Sequence, residues 1–208
     1  MSMSDELLAD ELPWPAEGDD PFKMGSSSRA LIACLNFTHD EPWGGIAEGF
    51  KMMADLGIRH IEQTGHDHDF LVYPIVYCYR HYIELSLKEI IRAARKLLDE
   101  PGGVPPTHNL DALWNTAEPL LKRIEDSPET YRNVRSSLAR FNELDPQSDA
   151  FRYPVRANGD ASLRGVKNLD LGQVRDVFER LSGFLLGATE QTLVELDFKR
   201  EIAQWYGP

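Results

Sequence analysis

The longest apolar pattern in the chain runs from Phe70 to Leu98 and has the period of an α-helix. Its apolar residues recur at spacings of three and four, as they do when one face of a helix is buried. They are Val72, Val76, Tyr79, Ile83, Leu87, Ile90, Ala94 and Leu97. Pro74 is expected near the first turn, where its missing N–H is tolerated. The pattern therefore predicts a central core helix.

Four further segments have the spacing of apolar residues that is typical of helices. They are residues 46–56, 108–124, 128–144 and 169–198. Gly57 indicates the end of the first, and Ser127-Pro128 the start of the third. Gly183 and Gly187 indicate close packing or a kink in the last. The short apolar segment 29–37 also favours a helix, and residues 147–168 have no period apart from a predicted turn at Asn158-Gly159.

No segment has the alternating pattern of strands. The sequence therefore predicts an all-α fold: a helical bundle of four to six helices, two of them long. Residues 1–28 hold seven acidic residues against Lys23, together with three prolines and a serine run. This composition predicts a flexible, disordered acidic N-terminal arm, followed by a single domain over residues 29–208. Interaction residues expected in the arm are Leu7, Leu8, Leu12 and Trp14.

Composition limits the classes of function. A net charge of −12 argues against broad nucleic-acid binding, so DNA is not an expected partner, although a local basic site for RNA or a nucleotide is compatible with it. No apolar run reaches the roughly 18 residues that a membrane span needs. No secretory signal is visible, and Cys34 and Cys78 form no disulfide framework, so a cytoplasmic location is expected.

A polar stripe accompanies the apolar face of the central helix. Arg80 and Glu84, Glu84 and Lys88, and Tyr77 and His81 are each four residues apart, so the two members of each pair lie on one face. One interpretation is a series of surface ion pairs, each worth a few tenths of a kcal/mol. The other is a functional cleft, because polar side chains in a largely apolar helix face a cleft, a partner or one another.

Two later segments offer further candidate side chains. His108 lies at a predicted helix N-terminus, where the helix dipole favours a neutral imidazole that could act as a base. The alternative is a histidine that caps the helix or simply lies in the loop. Arg152, Tyr153 and Arg156 lie in a non-helical segment, where arginine can bind phosphate bidentately and tyrosine can stack on a ring. The alternative there is a loop that packs Phe151 and Tyr153 on the bundle.

Three short motifs, RHYIELSLK, THNLDALW and FRYP, resemble those of HEPN-like helical bundles over about residues 70–198. These are small α-helical proteins of bacterial defence, toxin–antitoxin and RNA-processing systems. The matching residues are Arg80, His81, Glu84, Lys88, His108, Leu110 and Leu113. The resemblance implies catalytic roles for Arg80, His81, Glu84 and His108. We predict ligand binding by Tyr77, Lys88, Arg152, Tyr153 and Arg156.

Active HEPN proteins are metal-independent ribonucleases with an Arg-x(4–6)-His motif, in which histidine transfers protons and arginine stabilises the phosphorane. Here the only match is Arg59 to His66, ahead of the central helix, and no histidine follows His108. The sequence therefore favours a non-catalytic module that binds RNA or a nucleotide, forms a homodimer or binds a partner protein. A ribonuclease is the alternative.

A metal-binding bundle is a second alternative. His66, Asp67, His68 and Asp69 are consecutive potential ligands, and His60, His81 or Glu84 could join them. A solvated polar turn explains the same run, and no paired Glu-x-x-His occurs on a second helix. We therefore predict neither a metal nor another cofactor.

Overall fold

The computed structural model describes residues 14–23, 25, 28–35, 43–156 and 158–207. The chain divides into two compact units, Met1–His39 and Asp40–Pro208. Most of the predicted interaction residues of the arm, from Leu7 to Leu12, lie outside the described residues, whereas Trp14 is exposed.

The described part of the first unit contains a 3-10 helix at Arg29–Leu31, capped by the Ser28 hydroxyl, which accepts a hydrogen bond from the Ala30 N–H. The longer helix predicted over residues 29–37 is absent from residues 29–35. Leu31 and Leu35 are exposed there. Without burial of its apolar side, so short a segment gains too little to nucleate an α-helix.

The described part of the second unit is a bundle of five α-helices, which confirms the predicted all-α class. They are α1 (Trp43–Thr64), α2 (His68–Leu97), α3 (Leu110–Leu121), α4 (Pro128–Leu144) and α5 (Leu171–Tyr206). Helix α2 is the central element and packs against α1, α3 and α5. None of the described helices is long and apolar enough to cross a lipid bilayer.

The core forms around the predicted apolar face of α2. Tyr79, Ile83 and Leu87 are completely buried, as are Trp114 of α3 and Phe178 of α5. The rings of Tyr79 and Phe178 stack with centroids 3.9 Å apart. The period of the sequence therefore identified correctly which side of α2 faces its neighbours.

The predicted end of α1 at Gly57 is wrong, because the helix continues to Thr64. A Cβ at Gly57 would lie 2.8 Å from Cγ1 of Ile75, so the glycine permits close approach of α1 to α2. The break between these helices comes later, at Gly65 and Asp67, which have φ angles of 71° and 67°. Helix α2 consequently begins at His68, before Pro74.

Helix α5 extends beyond its predicted end at Phe198 and is anchored to the end of α2. The Lys199 ammonium group donates to the Leu97 carbonyl at 2.8 Å and pairs with Asp99. The close packing predicted at Gly183 and Gly187 is absent, because a Cβ at either position would have no other heavy atom within 4 Å. This face of α5 is open.

Candidate functional site

A buried carboxylate, that of Glu84, lies at the centre of the predicted polar stripe. Its side chain is 1% exposed. One oxygen, Oε1, accepts a hydrogen bond from Lys88 Nζ at 2.8 Å and lies 2.9 Å from His108 Nδ1. The other, Oε2, accepts from Arg80 Nη1 at 3.2 Å and lies 4.0 Å from His81 Nδ1. These five residues, from α2 and the segment before α3, are called the Glu84 cluster below.

Arg80 connects three helices through backbone carbonyl groups. Its Nε donates to the carbonyl of Asp145 at 2.8 Å, at the end of α4. Its Nη2 donates to the carbonyl of His108 at 2.6 Å, just before α3. The guanidinium is buried and also pairs with Glu84. Arg80 thus fixes the backbone that carries the His108 ring beside Glu84.

The charges of the cluster shift its titration. Burial alone raises the pKa of Glu84, but the hydrogen bonds and charges of Lys88 and His108 outweigh it and bring the pKa below its ordinary value. Burial lowers the pKa of Arg80, against the attraction of Asp145 and Glu84. Glu84 is therefore an ionised carboxylate at neutral pH, held between cations.

Burial also lowers the pKa of His81, and the attraction of Glu84 only partly opposes this. The neighbouring charges of Lys88, Arg80 and His108 lower it further. The His81 imidazole is consequently neutral at pH 7. Its Nδ1 is buried and makes no hydrogen bond, so it contributes less polar bonding to the cluster than His108 does.

An aromatic row continues from His81 along the surface. The His81 ring is stacked on Tyr77, with centroids 5.6 Å apart and an interplanar angle of 9°, and Phe50 of α1 meets His81 edge-on at 4.4 Å. The guanidinium of Arg152 lies 5.5 Å from the Tyr77 ring and 5.4 Å from the Tyr153 ring. We call His81, Tyr77, Arg152 and Tyr153 the aromatic row; it joins the predicted FRYP motif to α2.

The structure brings together most of the predicted site residues, but not Arg156. Its Nη2 donates to the Ser162 carbonyl at 3.1 Å, within the irregular segment between α4 and α5. An isolated bridge between Val155 and Ala161 closes that segment around the predicted turn at Asn158-Gly159. Arg156 therefore supports the loop, whereas Arg152 points its charge towards the aromatic row.

The alternative role of His108 as a helix cap is wrong. Asn109 is the N-cap of α3, and its side-chain oxygen accepts a hydrogen bond from the Ala112 N–H at 2.9 Å. The His108 ring turns towards Glu84 instead and is 55% exposed. His108 is thus the most accessible side chain of the Glu84 cluster, and its contact with the buried Glu84 fixes its position.

Two buried polar residues at this site were not predicted from the sequence. Asp145 accepts from Arg80 through its carbonyl, and its carboxylate accepts from the backbone N–H groups of Asp149 and Ala150. Asn142 accepts from the Leu110 N–H at 3.0 Å, at the start of α3. Asn142 follows Leu138 by four residues on the apolar face of α4, and this spacing was the available signal.

The metal ligands considered at the α1–α2 turn form only pairs. His60 Nε2 lies 2.8 Å from Asp67 Oδ2, and His68 Nε2 lies 3.6 Å from Asp69 Oδ1. Within the residues that the structure describes, no three histidine, cysteine or acidic side chains are grouped so that they could hold a metal ion. Arg59 and His66, the only Arg-x(4–6)-His match, are exposed near the same turn.

Comparison with models of protein families, with curated proteins and with solved structures finds no match to this chain. The HEPN resemblance therefore stays a prediction that depends on the short motifs around Arg80, His108 and Arg152.

Proposed function

We propose that this protein is a HEPN-like helical module that binds a phosphate-bearing ligand, RNA or a nucleotide, without cleaving it. The supporting observation is that an accessible histidine, His108, lies beside Glu84 and an exposed arginine, Arg152, lies over the Tyr77 ring, on the same face of α2. The motif resemblance adds the setting, a cytoplasmic bacterial defence or toxin–antitoxin type of system.

The aromatic row offers the chemistry that recognises a nucleotide. Arg152 lies near two tyrosine rings and donates its Nε–H to the Ser148 carbonyl at 2.6 Å, contacts that orient the guanidinium without neutralising its charge and leave its two Nη groups for a ligand. A guanidinium held in this way can bind a phosphate bidentately. Tyr153 is exposed and offers a ring face on which an unpaired base can stack.

The charge balance of the site permits an anionic ligand despite the acidic chain. Glu84 and Asp145 are buried, and Arg80 and Lys88 lie against Glu84 as counter-charges. The buried carboxylates are therefore compensated within the protein and screened from an incoming phosphate. Arg152, in contrast, presents its positive charge to solvent.

The hydrogen bonds of Arg80 favour binding of RNA over its cleavage. All of its three guanidinium nitrogens make hydrogen bonds, two to backbone carbonyls and one to Glu84. A ribonuclease arginine has to face the developing charge of the phosphorane. Arg80 is buried and already used in connecting helices, so it positions His108 rather than contacting a substrate.

Fluorescence anisotropy with a labelled single-stranded RNA, at low and then at physiological salt, tests the proposal. Arg152→Ala is expected to lower the affinity roughly 10- to 150-fold, since one charged bidentate contact is worth roughly 1.5–3 kcal/mol. His108→Ala is expected to weaken binding less. Arg140→Ala, at an exposed arginine of α4, is the matched control and should leave the affinity unchanged. Wild-type protein that binds neither RNA nor nucleotides would refute the proposal.

A second candidate, a metal-independent ribonuclease, is favoured by the pair formed by Glu84 and His108. A His108 that donates its Nδ1–H to Glu84 has a free lone pair on Nε2, which can take the proton of a ribose 2′-hydroxyl. Cleavage of RNA in the presence of EDTA would then fall at least about 100-fold in His108→Ala. It would be unchanged in His60→Ala. Absence of cleavage by the wild-type chain would exclude this candidate.

A further inference from the structure

On the side away from the core, the last four turns of α5 present four exposed apolar side chains, with the exposed Glu201 beside them. Phe198 and Trp205 are 63% and 84% exposed, Ile202 is exposed between them, and Val194 is exposed one turn before Phe198. On the opposite side of the same turns, Thr192 and Leu196 are buried against the bundle. Helix α5 is thus apolar on two sides, whereas a helix at the surface of a monomer needs only one apolar side. The four exposed residues are called the α5 ridge.

The same face has a groove about three turns nearer the N-terminus of α5. At 100° per residue, Gly183 and Gly187 fall within about 60° of Val194, Phe198 and Trp205. The glycines lack side chains, and together with residues from the end of α3 and the start of α4 they line a groove of about 280 Å³. Its other lining residues include Leu121, Ile124, Tyr131 and Phe184.

We infer that this face of α5 is an interface between two copies of the chain, in which the ridge of each copy fills the glycine groove of the other. A two-fold axis brings the same surface patch of both subunits together. Such a patch fits its own copy when it has both a projection and a recess, so that each projection enters the recess of the other subunit. Helix α5 has both, about 20 Å apart along its axis at 1.5 Å per residue. Two antiparallel α5 helices therefore place each ridge opposite the partner's groove. This inference is independent of the proposed ligand site.

The exposed area is large enough for such an interface. A phenylalanine or tryptophan side chain presents roughly 150–250 Å², so Phe198 and Trp205 expose roughly 300 Å² per copy and twice that in a pair. Val194, Ile202 and the groove residues bring the total to the order of 1,200 Å², where stable interfaces begin. A second copy accounts for the ridge and for the groove together, whereas an unrelated partner would need to match each of them separately.

Sedimentation equilibrium of the full chain, over a range from about 1 to 100 μM, tests the inference. The wild-type chain is expected to have twice the monomer mass at the upper end. Gly187→Leu fills the groove and should return the mass to that of the monomer. Space for the leucine exists, since a Cβ at Gly187 has no neighbour within 4 Å, and leucine favours the helix. Phe198→Glu places a charge on the α5 ridge, the other half of the interface, and should also return the mass to that of the monomer.

Two controls separate the interface from general effects on solubility. Gly49→Leu makes the same change in α1, at another glycine with open space around it, and Met53→Glu places a charge on another exposed apolar residue. Both should leave the dimer intact, and circular dichroism should show unchanged helix content in all four variants. The inference is overturned by a wild-type chain that is monomeric at 100 μM, or by a dimer that persists in Gly187→Leu and Phe198→Glu.

Discussion

Arg80 illustrates how one long side chain can organise several backbone segments. A guanidinium has five N–H donors in a fixed plane, and here they bond to the carbonyls of His108 and Asp145 and to Glu84. Lysine has a single ammonium group and cannot reproduce this geometry. The buried charge is tolerated because its hydrogen bonds and its carboxylate partner compensate for the loss of water.

Replacing Arg80 by leucine is expected to lower the free energy of unfolding by about 3–5 kcal/mol, because two carbonyls lose their donor and Glu84 loses a cation. Urea denaturation followed by circular dichroism measures this loss. Arg140→Ala, at an exposed arginine that pairs with the exposed Glu143, should change stability by less than about 0.5 kcal/mol. Equal effects of the two changes would contradict the role assigned to Arg80.

His81 should make stability depend on pH. Burial lowers its pKa below the ordinary 6.5, so the unfolded chain binds a proton that the folded chain resists. Stability then rises with pH wherever the unfolded state holds more protons. The contribution is present above about pH 6.5 and is lost as the pH falls below it.

Denaturation of wild type and His81→Asn at pH 7.5 and pH 5.5 checks this sign. The wild-type chain is expected to lose more stability than the variant over that interval, because asparagine does not titrate. The comparison between the two chains cancels the contributions of titrating groups other than His81. A larger loss in the variant would mean that the folded state favours the charged imidazole.

For single residues, the sequence predicted which charged side chains pair with each other but not how deeply they are buried. The spacing of Arg80, Glu84 and Lys88 placed them on one helix face, and the structure pairs them. Their burial depends on α3 and α4 covering that face, which spacing along α2 does not reveal. The carbonyl partners of Arg80 are backbone atoms, which leave no mark in the residue types of a sequence.

At the element scale, α3 depends on its first turn. Asn109→Ala removes the side-chain oxygen that accepts from the Ala112 N–H and is expected to cost about 1 kcal/mol of stability. Ser127→Ala at the N-cap of α4 is the matched control, because Ser127 makes no capping hydrogen bond and its loss should cost less than about 0.5 kcal/mol. Thermal melts of both variants would detect the difference, and a greater loss in Ser127→Ala would contradict it.

Helix positions could be predicted from the sequence, while helix ends were less well specified. Apolar periodicity located α2 because one buried face repeats every 3.6 residues. Gly57 was misread as a stop because glycine serves both helix ends and close helix contacts, and only the proximity of Ile75 decides between them. The extension of α5 to Tyr206 likewise depends on distant contacts, such as that of Lys199 with Leu97.

At the scale of the whole molecule, the two cysteines differ in their exposure to solvent and should therefore differ in reactivity. Cys34 is exposed, whereas Cys78 is half-buried on α2, and burial raises its pKa above the ordinary 9.0. Only the thiolate reacts. At pH 8, one thiol per native chain should therefore react rapidly with Ellman's reagent, and a second should react only slowly until denaturant is added.

Cys34→Ser is the control for that assignment. It should remove the rapid phase and leave the slow one, and the slow phase should accelerate at the same urea concentration at which circular dichroism reports unfolding. Two rapid thiols in the native chain would show that α2 is open near Cys78, contrary to the packing described.

The fold class of the molecule was readable from the sequence, since an absence of alternating patterns together with long helical periods permits few architectures. The structure of the irregular segment after α4 could not be predicted from the sequence. Phe151 is buried against Val76 of α2, a contact between residues far apart in the chain. Arg152 reaches Tyr77 only because this contact fixes the loop, so the aromatic row could not be derived from local pattern.

The backbone bonds of Arg80 also have a consequence for how the sequence can vary. A carbonyl oxygen is present whatever residue occupies position 108, so the bond from Arg80 to that carbonyl survives substitution of the His108 side chain. In a saturation mutagenesis screen for folded protein, position 80 should therefore accept almost nothing, while position 108 accepts many residues. The bundle can keep its architecture while its most accessible polar group is exchanged, and new binding chemistry at position 108 can be selected without rebuilding the scaffold beneath it.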